Sequence, residues 1–144
     1  KTEIILAGRK VNDSIPNYLF NYIKKKLKKK SRILLLGLSF KENVSDIRNS
    51  KSAELANKIK KANFILDCYD PNINRKELKK EYGIFLKKPS GKYDCIIVAV
   101  AHSQFVKMKT EEIISILKTK CLIIDIKGIW NKKMFSHETE YWCL

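Results

Sequence analysis

The sequence has 144 residues, of which 44% are apolar and 31% are charged, so it is long enough for one domain with its own core. Thirty basic residues against fifteen acidic ones give a net charge of +15, yet 26 of the thirty are lysine and only four are arginine. Because recognition of phosphates and guanine edges draws mainly on arginine, we attribute the charge to a compositional bias and do not expect nucleic acid as a partner.

Membrane insertion, secretion and metal binding are not expected either. No apolar run approaches the roughly 20 residues that span a bilayer, and the chain does not open with a signal-peptide pattern. The cysteines follow neither a CxxC pattern nor a Cys/His ligand spacing, and three of the four lie in or beside apolar runs: Cys68, Cys95, Cys121 and Cys143. We predict a cytoplasmic protein with reduced cysteines in its core and no bound metal.

The first predicted element is a helix. Thr2–Asn12 has the pattern of a helix already under way, which indicates a fragment of a longer protein.

Apolar residues then recur every four positions, as on one face of a helix: Val11, Ile15, Leu19, Ile23 and Leu27. Pro16 cannot donate to the carbonyl group four residues earlier, so either the helix kinks there or a second helix begins near Ser14. The lysine-rich run 24–30 is interpreted as a solvated helix end rather than a membrane-binding face.

Short apolar runs then alternate with helical segments. The apolar runs lack strict alternation, which is typical of strands covered on both faces: Arg32–Leu38, Phe64–Tyr69, Asp94–Ala101 and Cys121–Ile126. The segments between them have helical spacing and charged outer faces: Ser52–Lys61, Arg75–Tyr82 and Thr110–Lys118. Two shorter strands are predicted at Ile84–Leu86 and Tyr141–Leu144. The pattern predicts an α/β fold, a Rossmann-like three-layer sandwich with a mainly parallel sheet of about six strands, preceded by an N-terminal helix.

A parallel sheet binds ligands outside the carboxyl ends of its strands, where loops and helix N-termini converge. The loop after the first strand, Gly37–Ser50, is not a GxGxxG dinucleotide turn, because Ser39 and a large charged residue stand where glycines are needed. Lys41 in this loop and Lys127, which follows the Cys121–Ile126 strand, are predicted to project from the same edge. Two ammonium groups that meet there form a site for a diphosphate or a carboxylate.

Two further loops end at this edge. Pro71 predicts a turn in which Asp70 acts as a cap. A phosphoacceptor role for Asp70 is disfavoured, because receiver domains carry an acidic pair after the first strand and this chain has Ser39 and Lys41 there. His102 either contacts the base or sugar of a ligand or caps the helix that follows it.

Five motifs, in order along the chain, resemble the UDP-glucose/GDP-mannose dehydrogenase family. The most specific are GLSFKENVSDIRNSKSAELA at Gly37–Ala56 and YDCIIVAVAHSQF at Tyr93–Phe105. AGRKVND at Ala7–Asp13, the Tyr69–Pro71 turn and IDIKGIW at Ile124–Trp130 accompany them, and an aromatic strand closes the chain. The motifs are most similar to the bacterial branch that oxidises UDP-N-acetylhexosamines.

The resemblance implies an activity for the longer protein. Members of the family oxidise C6 of a nucleotide sugar to a carboxylate in two NAD-dependent steps, through a cysteine-bound intermediate, and this branch serves surface polysaccharide synthesis. Residues 1–30 correspond to the end of the central linking helix, and residues 31–144 to the C-terminal UDP-sugar-binding domain. The expected partners are the N-terminal and central domains of the same chain, in a homodimer or a larger oligomer.

The same resemblance implies roles for individual residues. Phe40, Lys41 and Lys127 contact the UDP-sugar, and Arg48 reaches NAD, which is bound mainly by the N-terminal domain. None of the four cysteines lies in the family's GGxC motif, so no catalytic residue is expected in this chain and it should be inactive alone. The alternative is a free-standing basic Rossmann-like module that binds nucleic acid.

Overall fold

The computed structural model describes residues 9–144, with side chains from residue 14 onward. Most of the helix predicted at Thr2–Asn12, and the first two residues of the Ala7–Asp13 motif, lie outside the described residues. The described elements are, in chain order, α1 (Arg9–Lys26), β1 (Arg32–Leu36), α2 (Lys51–Lys61), β2 (Ile65–Tyr69), α3 (Arg75–Tyr82), β3 (Tyr93–Val98), α4 (Ser103–Val106), α5 (Thr110–Ser115), β4 (Leu117–Asp125), a 3₁₀ turn (Lys132–Met134) and β5 (Thr139–Cys143).

The five strands are all parallel and lie in the order β2-β1-β3-β4-β5. The strand order reverses between β1 and β3, so a crevice forms outside the carboxyl ends of these two strands. Leu36 at the end of β1 lies in register with Tyr69 of β2 and Val98 of β3, and Val98 pairs with Asp125 of β4. The loops that follow these four strands therefore begin at one level of the sheet.

The parallel α/β architecture is confirmed, with five strands where the sequence predicted about six. The segment predicted as a strand at Ile84–Leu86 makes one bridge, between Cys68 and Leu86. Ile84 is buried, but Phe85 is 67% exposed. The segment is therefore too short and too solvated to sustain a ladder of paired residues.

α1 continues through Pro16 as one helix, so the alternative of a second helix that begins near Ser14 is wrong. The missing N–H of Pro16 removes one hydrogen bond, and the burial of Leu19 and Ile23 against the core offsets this loss. The helix ends in Lys24–Lys26, whose exposed positive charges suit a helix C-terminus. Neither α1 nor any other helix within 9–144 combines the length and the apolarity needed to cross a bilayer.

Two apolar layers cover the two faces of the sheet. Side chains alternate along β1: Ile33 and Leu35 belong to one layer, and Leu34 and Leu36 to the other. Helices α1, α2 and α3 contribute to the first layer, while α4 and α5 contribute to the second. The strands are therefore covered on both faces, as their unbroken apolar runs predicted.

The cysteines follow the prediction in part. Cys68, Cys95 and Cys121 are buried in the core layers, and Cys143 is exposed. Burial raises the pKa of Cys68 to about 12 and also raises the pKa of Cys95. These two thiols are therefore uncharged at neutral pH, and an uncharged thiol is a poor nucleophile.

Gly37 follows β1 with a φ of +98°, and a Cβ atom there would lie 2.7 Å from the Cβ of Val100. We expect Gly37→Ala to lower the free energy of unfolding by about 3 kcal/mol, because left-handed strain and overpacking add together. Gly83→Ala is the matched control: Gly83 has a φ of +68° but no atom within 4 Å, so we expect a loss of about 1 kcal/mol. Urea denaturation measures both, and equal losses would contradict the close approach of Gly37 to Val100.

Candidate functional site

A cleft with a volume of about 740 Å³ opens at the carboxyl edge of the sheet. The β1–α2 loop and the start of α2 supply its polar and charged lining together with one aromatic ring: Ser39, Phe40, Lys41, Asn49, Lys51 and Ser52. The chain after β3 and β4 supplies Ala99, Val100, Ile126 and Lys127. Helices α1 and α2 supply the remaining apolar surface: Ile15, Pro16, Leu19 and Leu55. The cleft thus combines an apolar wall with ammonium and hydroxyl groups.

The cleft brings together three of the four predicted site residues. Phe40, Lys41 and Lys127 all line it, although Lys127 is far from the other two in sequence. The Phe40 ring is 57% exposed, so its face is available to a ligand. Both lysines are exposed as well. The two loops meet because β1 and β4 flank β3 in one parallel sheet.

Arg48, the fourth predicted residue, does not line the cleft. Its side chain is 85% exposed and pairs with Asp46, with 2.8 Å between Arg48 Nη2 and Asp46 Oδ2. Hydrogen bonds from the Arg48 guanidinium and backbone N–H lower the pKa of Asp46 to about 2. Arg48 therefore stands outside the cleft as a cation that is already paired.

Lys51 is a lining residue that the sequence interpretation missed. It is the first residue of α2, directly after the N-cap Ser50, whose side chain accepts a hydrogen bond from Ala53 N (3.0 Å). The sequence feature that could have identified Lys51 is Ser50, a typical N-cap residue. A cap at Ser50 makes residue 51 the first residue of α2, beside the loop that lines the cleft. Lys51 gives the lining a third ammonium group.

The cleft favours anions. Its lining holds Lys41, Lys51 and Lys127, and no carboxylate is among the lining residues that the structure describes. Ammonium groups bind phosphate and carboxylate oxygens through charge-assisted hydrogen bonds, which are stronger than bonds between neutral groups. The adjoining apolar wall suits a ligand that carries a ring or a sugar face beside its anionic part.

A buried carboxylate anchors the loop that carries Phe40 and Lys41. Asp70 Oδ2 accepts hydrogen bonds from Leu38 N (2.7 Å) and Ser39 N (3.2 Å), and Asp70 Oδ1 accepts one from Asn72 N (2.9 Å). Asp70 therefore caps its own turn, as predicted, through the bond from Asn72 N, and it also holds the loop after β1 through the bonds from Leu38 N and Ser39 N. Burial alone would raise the pKa of Asp70, but the bonds from His102 and from backbone N–H groups outweigh it and hold that pKa below its usual value.

His102 has neither of the two roles predicted for it. It is fully buried, so it does not reach a ligand in the cleft. It occupies the N-cap position of α4, but its side chain makes no capping hydrogen bond. Asn43 Oδ1 accepts from Ser103 N instead (2.9 Å), which satisfies the first N–H of α4 from another loop. The imidazole turns inward, and its Nε2 lies 2.9 Å from Asp70 Oδ2.

A second buried carboxylate anchors the loop that carries Lys127. Asp125, the last residue of β4, accepts hydrogen bonds from Ile129 N (3.1 Å) and Trp130 N (2.7 Å). Tyr141 of β5 donates to the same carboxylate (2.5 Å). Burial and this hydrogen bond raise the pKa of Tyr141. The chain around Lys127 is thus held to the end of its strand while the lysine side chain remains in solvent.

The Asp70 anchor predicts a pH dependence. A carboxylate whose pKa is lowered by folding stabilises the protein above its unfolded pKa of about 4, and this contribution is lost as the pH falls through the folded pKa. We expect Asp70→Asn to lower the free energy of unfolding at pH 7 by about 1.5 to 3 kcal/mol, because an amide NH₂ must face a backbone N–H. The variant should also lose less stability than the wild type below about pH 4.

Urea denaturation between pH 7 and pH 3 measures this effect. Glu81→Gln removes the same charge from an exposed position on α3 and should leave the stability within about 0.5 kcal/mol of the wild type. A pH profile of Asp70→Asn that parallels the wild-type profile would show that Asp70 is not the group that titrates.

Comparison with known proteins assigns the family. Residues 34–132 match the family model described as UDP-glucose/GDP-mannose dehydrogenase family, UDP binding domain. The UDP-N-acetyl-D-glucosamine 6-dehydrogenase of Salmonella typhi is 40% identical over 88% of this chain, and that of Pseudomonas aeruginosa is 39% identical over 90%. The chain spans about a third of each of these relatives, 32% and 33% of their lengths.

Solved structures show the same fold. The NDP-N-acetyl-D-galactosaminuronic acid dehydrogenase from Methanosarcina mazei Go1 has a TM-score of 0.77 at 23% identity, over 94% of this chain and 30% of that chain. The UDP-N-acetyl-mannosamine dehydrogenase Cap5O from Staphylococcus aureus has a TM-score of 0.71 at 20% identity, over 94% of this chain and 32% of that chain. Because the family model covers more than half of the sequence and the fold agrees, the chain belongs to the UDP-glucose/GDP-mannose dehydrogenase family, as its UDP binding domain.

Proposed function

We propose that this chain supplies the UDP-sugar-binding wall of a nucleotide-sugar 6-dehydrogenase that oxidises a UDP-N-acetylhexosamine to the uronic acid for surface polysaccharide synthesis. The observation that carries the proposal is the single cleft that Phe40, Lys41 and Lys127 share at the carboxyl edge of the sheet. The family match and the relatives that act on UDP-N-acetylhexosamines support the substrate class. The family match also favours this function over the nucleic-acid-binding alternative.

The lining suggests how a UDP-sugar is held. Lys41 and Lys127 neutralise the diphosphate, and charge-assisted hydrogen bonds of this kind are each worth about 1.5 to 3 kcal/mol. Phe40 offers an exposed aromatic face to the uracil or the sugar. Ile15 of α1, which is half-buried, provides apolar surface for the less polar part of the ligand.

The chemistry of oxidation belongs to other parts of the longer protein. No cysteine is among the cleft-lining residues that the structure describes. The buried thiols have raised pKa values and do not serve as nucleophiles. As the family resemblance implies, we propose that the catalytic thiol is supplied by a preceding domain of the longer protein, and we expect this chain alone to have no dehydrogenase activity. The N-terminal and central domains are its proposed partners, in a homodimer or a larger oligomer.

NAD, which accepts a hydride when bound, is proposed to approach this chain at Arg48. The turn after β1 lacks the glycines that let a pyrophosphate approach the backbone, since Ser39 stands at one of their positions. Arg48 lies outside the cleft and is paired with Asp46, but its side chain is 85% exposed, so we propose that it contacts a cofactor that the N-terminal domain holds. Asp46 orients that guanidinium through its two oxygens.

The first test is binding of UDP to the chain, measured by isothermal titration calorimetry. Lys41→Ala and Lys127→Ala each remove one charge-assisted contact, so we expect the dissociation constant to rise by roughly 10- to 150-fold. Lys29→Ala is the matched control, because Lys29 is an exposed lysine near the amino end of β1 and its loss changes the net charge by the same amount. The control should bind UDP as the wild type does.

Equal weakening by all three substitutions would mean that UDP responds to the general positive charge and not to the cleft. Failure of the wild-type chain to bind UDP more tightly than inorganic phosphate would contradict the proposed substrate class.

The second test separates substrate from cofactor in the full-length enzyme. We expect Arg48→Ala to raise the KM for NAD, and Lys41→Ala to raise the KM for the UDP-sugar, because the two side chains reach different ligands. Steady-state kinetics with each substrate varied in turn gives both constants. If Arg48→Ala changed only the UDP-sugar constant, the role of this arginine would be misassigned.

A further inference from the structure

We infer that His102 is a positioning residue, whose neutral ring clamps both ends of the turn that carries Phe40 and Lys41. The inference rests on the proposed function, because it assigns His102 to the placement of two proposed substrate contacts. His102 does not touch the cleft itself: it is fully buried and is absent from the lining.

The hydrogen-bond partners fix one tautomer of the ring. Asn43 N lies 2.9 Å from His102 Nδ1, and a backbone N–H can only donate, so Nδ1 must be an acceptor. Asn72 Nδ2 also lies 3.0 Å from Nδ1. Gln104 donates to Asn72 Oδ1 (2.9 Å), which directs the NH₂ group of Asn72 towards the ring. The proton of the neutral imidazole therefore resides on Nε2.

The Nε2–H group completes the other half of the clamp. It lies 2.9 Å from Asp70 Oδ2 and 3.2 Å from Ser39 Oγ. The Ser39 hydroxyl in turn donates to Lys41 O (2.7 Å), so its oxygen is left to accept from the ring. One hydrogen-bonded path thus runs from Asp70 through His102 and Ser39 to the backbone of Lys41.

The clamp holds the turn on both sides of the ligand-facing residues. Ser39 precedes Phe40 and Lys41, and Asn43 follows them, with a left-handed φ of +59° at Asn43. The ring contacts both flanking residues at once. Packing against Phe105, with 5.5 Å between the ring centres, fills the space beside the imidazole. Preorganised loops bind more tightly because less conformational freedom is lost on binding.

Two substitutions at His102 each keep one of the two hydrogen-bonding positions of the ring and remove the other. In His102→Asn the amide oxygen takes the place of Nδ1 and can accept from Asn43 N, while the donor to Asp70 and Ser39 is lost. In His102→Gln the amide nitrogen takes the place of Nε2 and can donate to Asp70 and Ser39, while the acceptor for Asn43 is lost. Neither variant restores the whole clamp.

Tyr93→Phe is the matched control for stability. Tyr93 lies at the amino end of β3, on the opposite edge of the sheet, and its hydroxyl donates to Asp67 Oδ2 (2.6 Å). The substitution removes a buried hydrogen bond from an aromatic side chain to an aspartate, comparable to the bond between His102 and Asp70, at a residue that does not line the cleft. A decrease in UDP affinity that came only from lower stability would therefore appear in Tyr93→Phe as well.

The experiment combines amide hydrogen exchange, followed by NMR, with calorimetric titration of UDP into the chain. We expect the Asn43 amide to exchange about 10-fold faster or more in His102→Gln and to stay protected in His102→Asn, because only the second variant keeps an acceptor for it. Both variants should bind UDP about 10-fold more weakly or worse, and Tyr93→Phe should bind it as the wild type does.

Three results would overturn the inference. Equal exchange of the Asn43 amide in both variants would exclude the assigned tautomer. Unchanged UDP affinity in a variant with a loosened turn would exclude a role in positioning. Equal weakening by Tyr93→Phe would reduce the effect to general stability. A wild-type chain that does not bind UDP would instead contradict the proposed function, and the exchange of the Asn43 amide would still decide whether the clamp exists.

Discussion

The candidate site depends on two carboxylates that are buried at the carboxyl edge of the sheet. Asp70 follows β2 and accepts backbone N–H groups from the loop after β1, while Asp125 ends β4 and accepts N–H groups from its own loop. Loops at such an edge expose backbone donors that have no strand partner, and each buried donor left without an acceptor is costly. An ionised carboxylate with two oxygens satisfies several of them at once, and so holds the flanking chain in one conformation.

This arrangement separates the negative charges that shape the loops from the positive charges that face the cleft. The carboxylates of Asp70 and Asp125 are buried and occupied by backbone and side-chain donors. The ammonium groups of Lys41 and Lys127 remain in solvent at the end of the same loops. Asp125 and Lys127 lie close in sequence, and Asp70 contacts the loop of Lys41 from the neighbouring loop. The opposite charges serve different partners, because the short side chains reach inward to the backbone and the long side chains extend outward. The cleft can therefore carry a positive potential although acidic residues support it from beneath.

The sequence predicts the architecture well because each strand of a parallel sheet covered on both faces is marked by its own continuous apolar run. Unbroken apolar runs such as Arg32–Leu38 are typical of strands with both faces covered, and β1 begins at the predicted residue. The convergence of Lys41 and Lys127 also follows from topology, since parallel strands end at one edge. The roles of these lysines and of Arg48 towards ligands remain predictions.

Other features escaped prediction because they depend on contacts between distant segments. The inward turn of His102 requires Asp70 from one loop and Asn43 from another, and no local pattern encodes either contact. α1 remains one helix at Pro16 because the burial of its apolar face against the core outweighs the local preference against proline inside a helix. The segment Ile84–Leu86 has the apolar character of a strand, yet it lacks the length to pair. For His102 and α1, tertiary contacts override a local preference, whereas for Ile84–Leu86 short length and solvent exposure decide the outcome.

The positive lining of the cleft also links folding to the solution around the protein. Like charges held at one edge repel each other in the folded chain more than in the unfolded chain, where they lie far apart. Any small anion that occupies the cleft relieves this repulsion and stabilises the folded state by mass action, in proportion to the logarithm of its concentration. The melting temperature of the chain is therefore a property of the chain and its buffer together, and phosphate, pyrophosphate and chloride solutions of equal ionic strength will give different values for it.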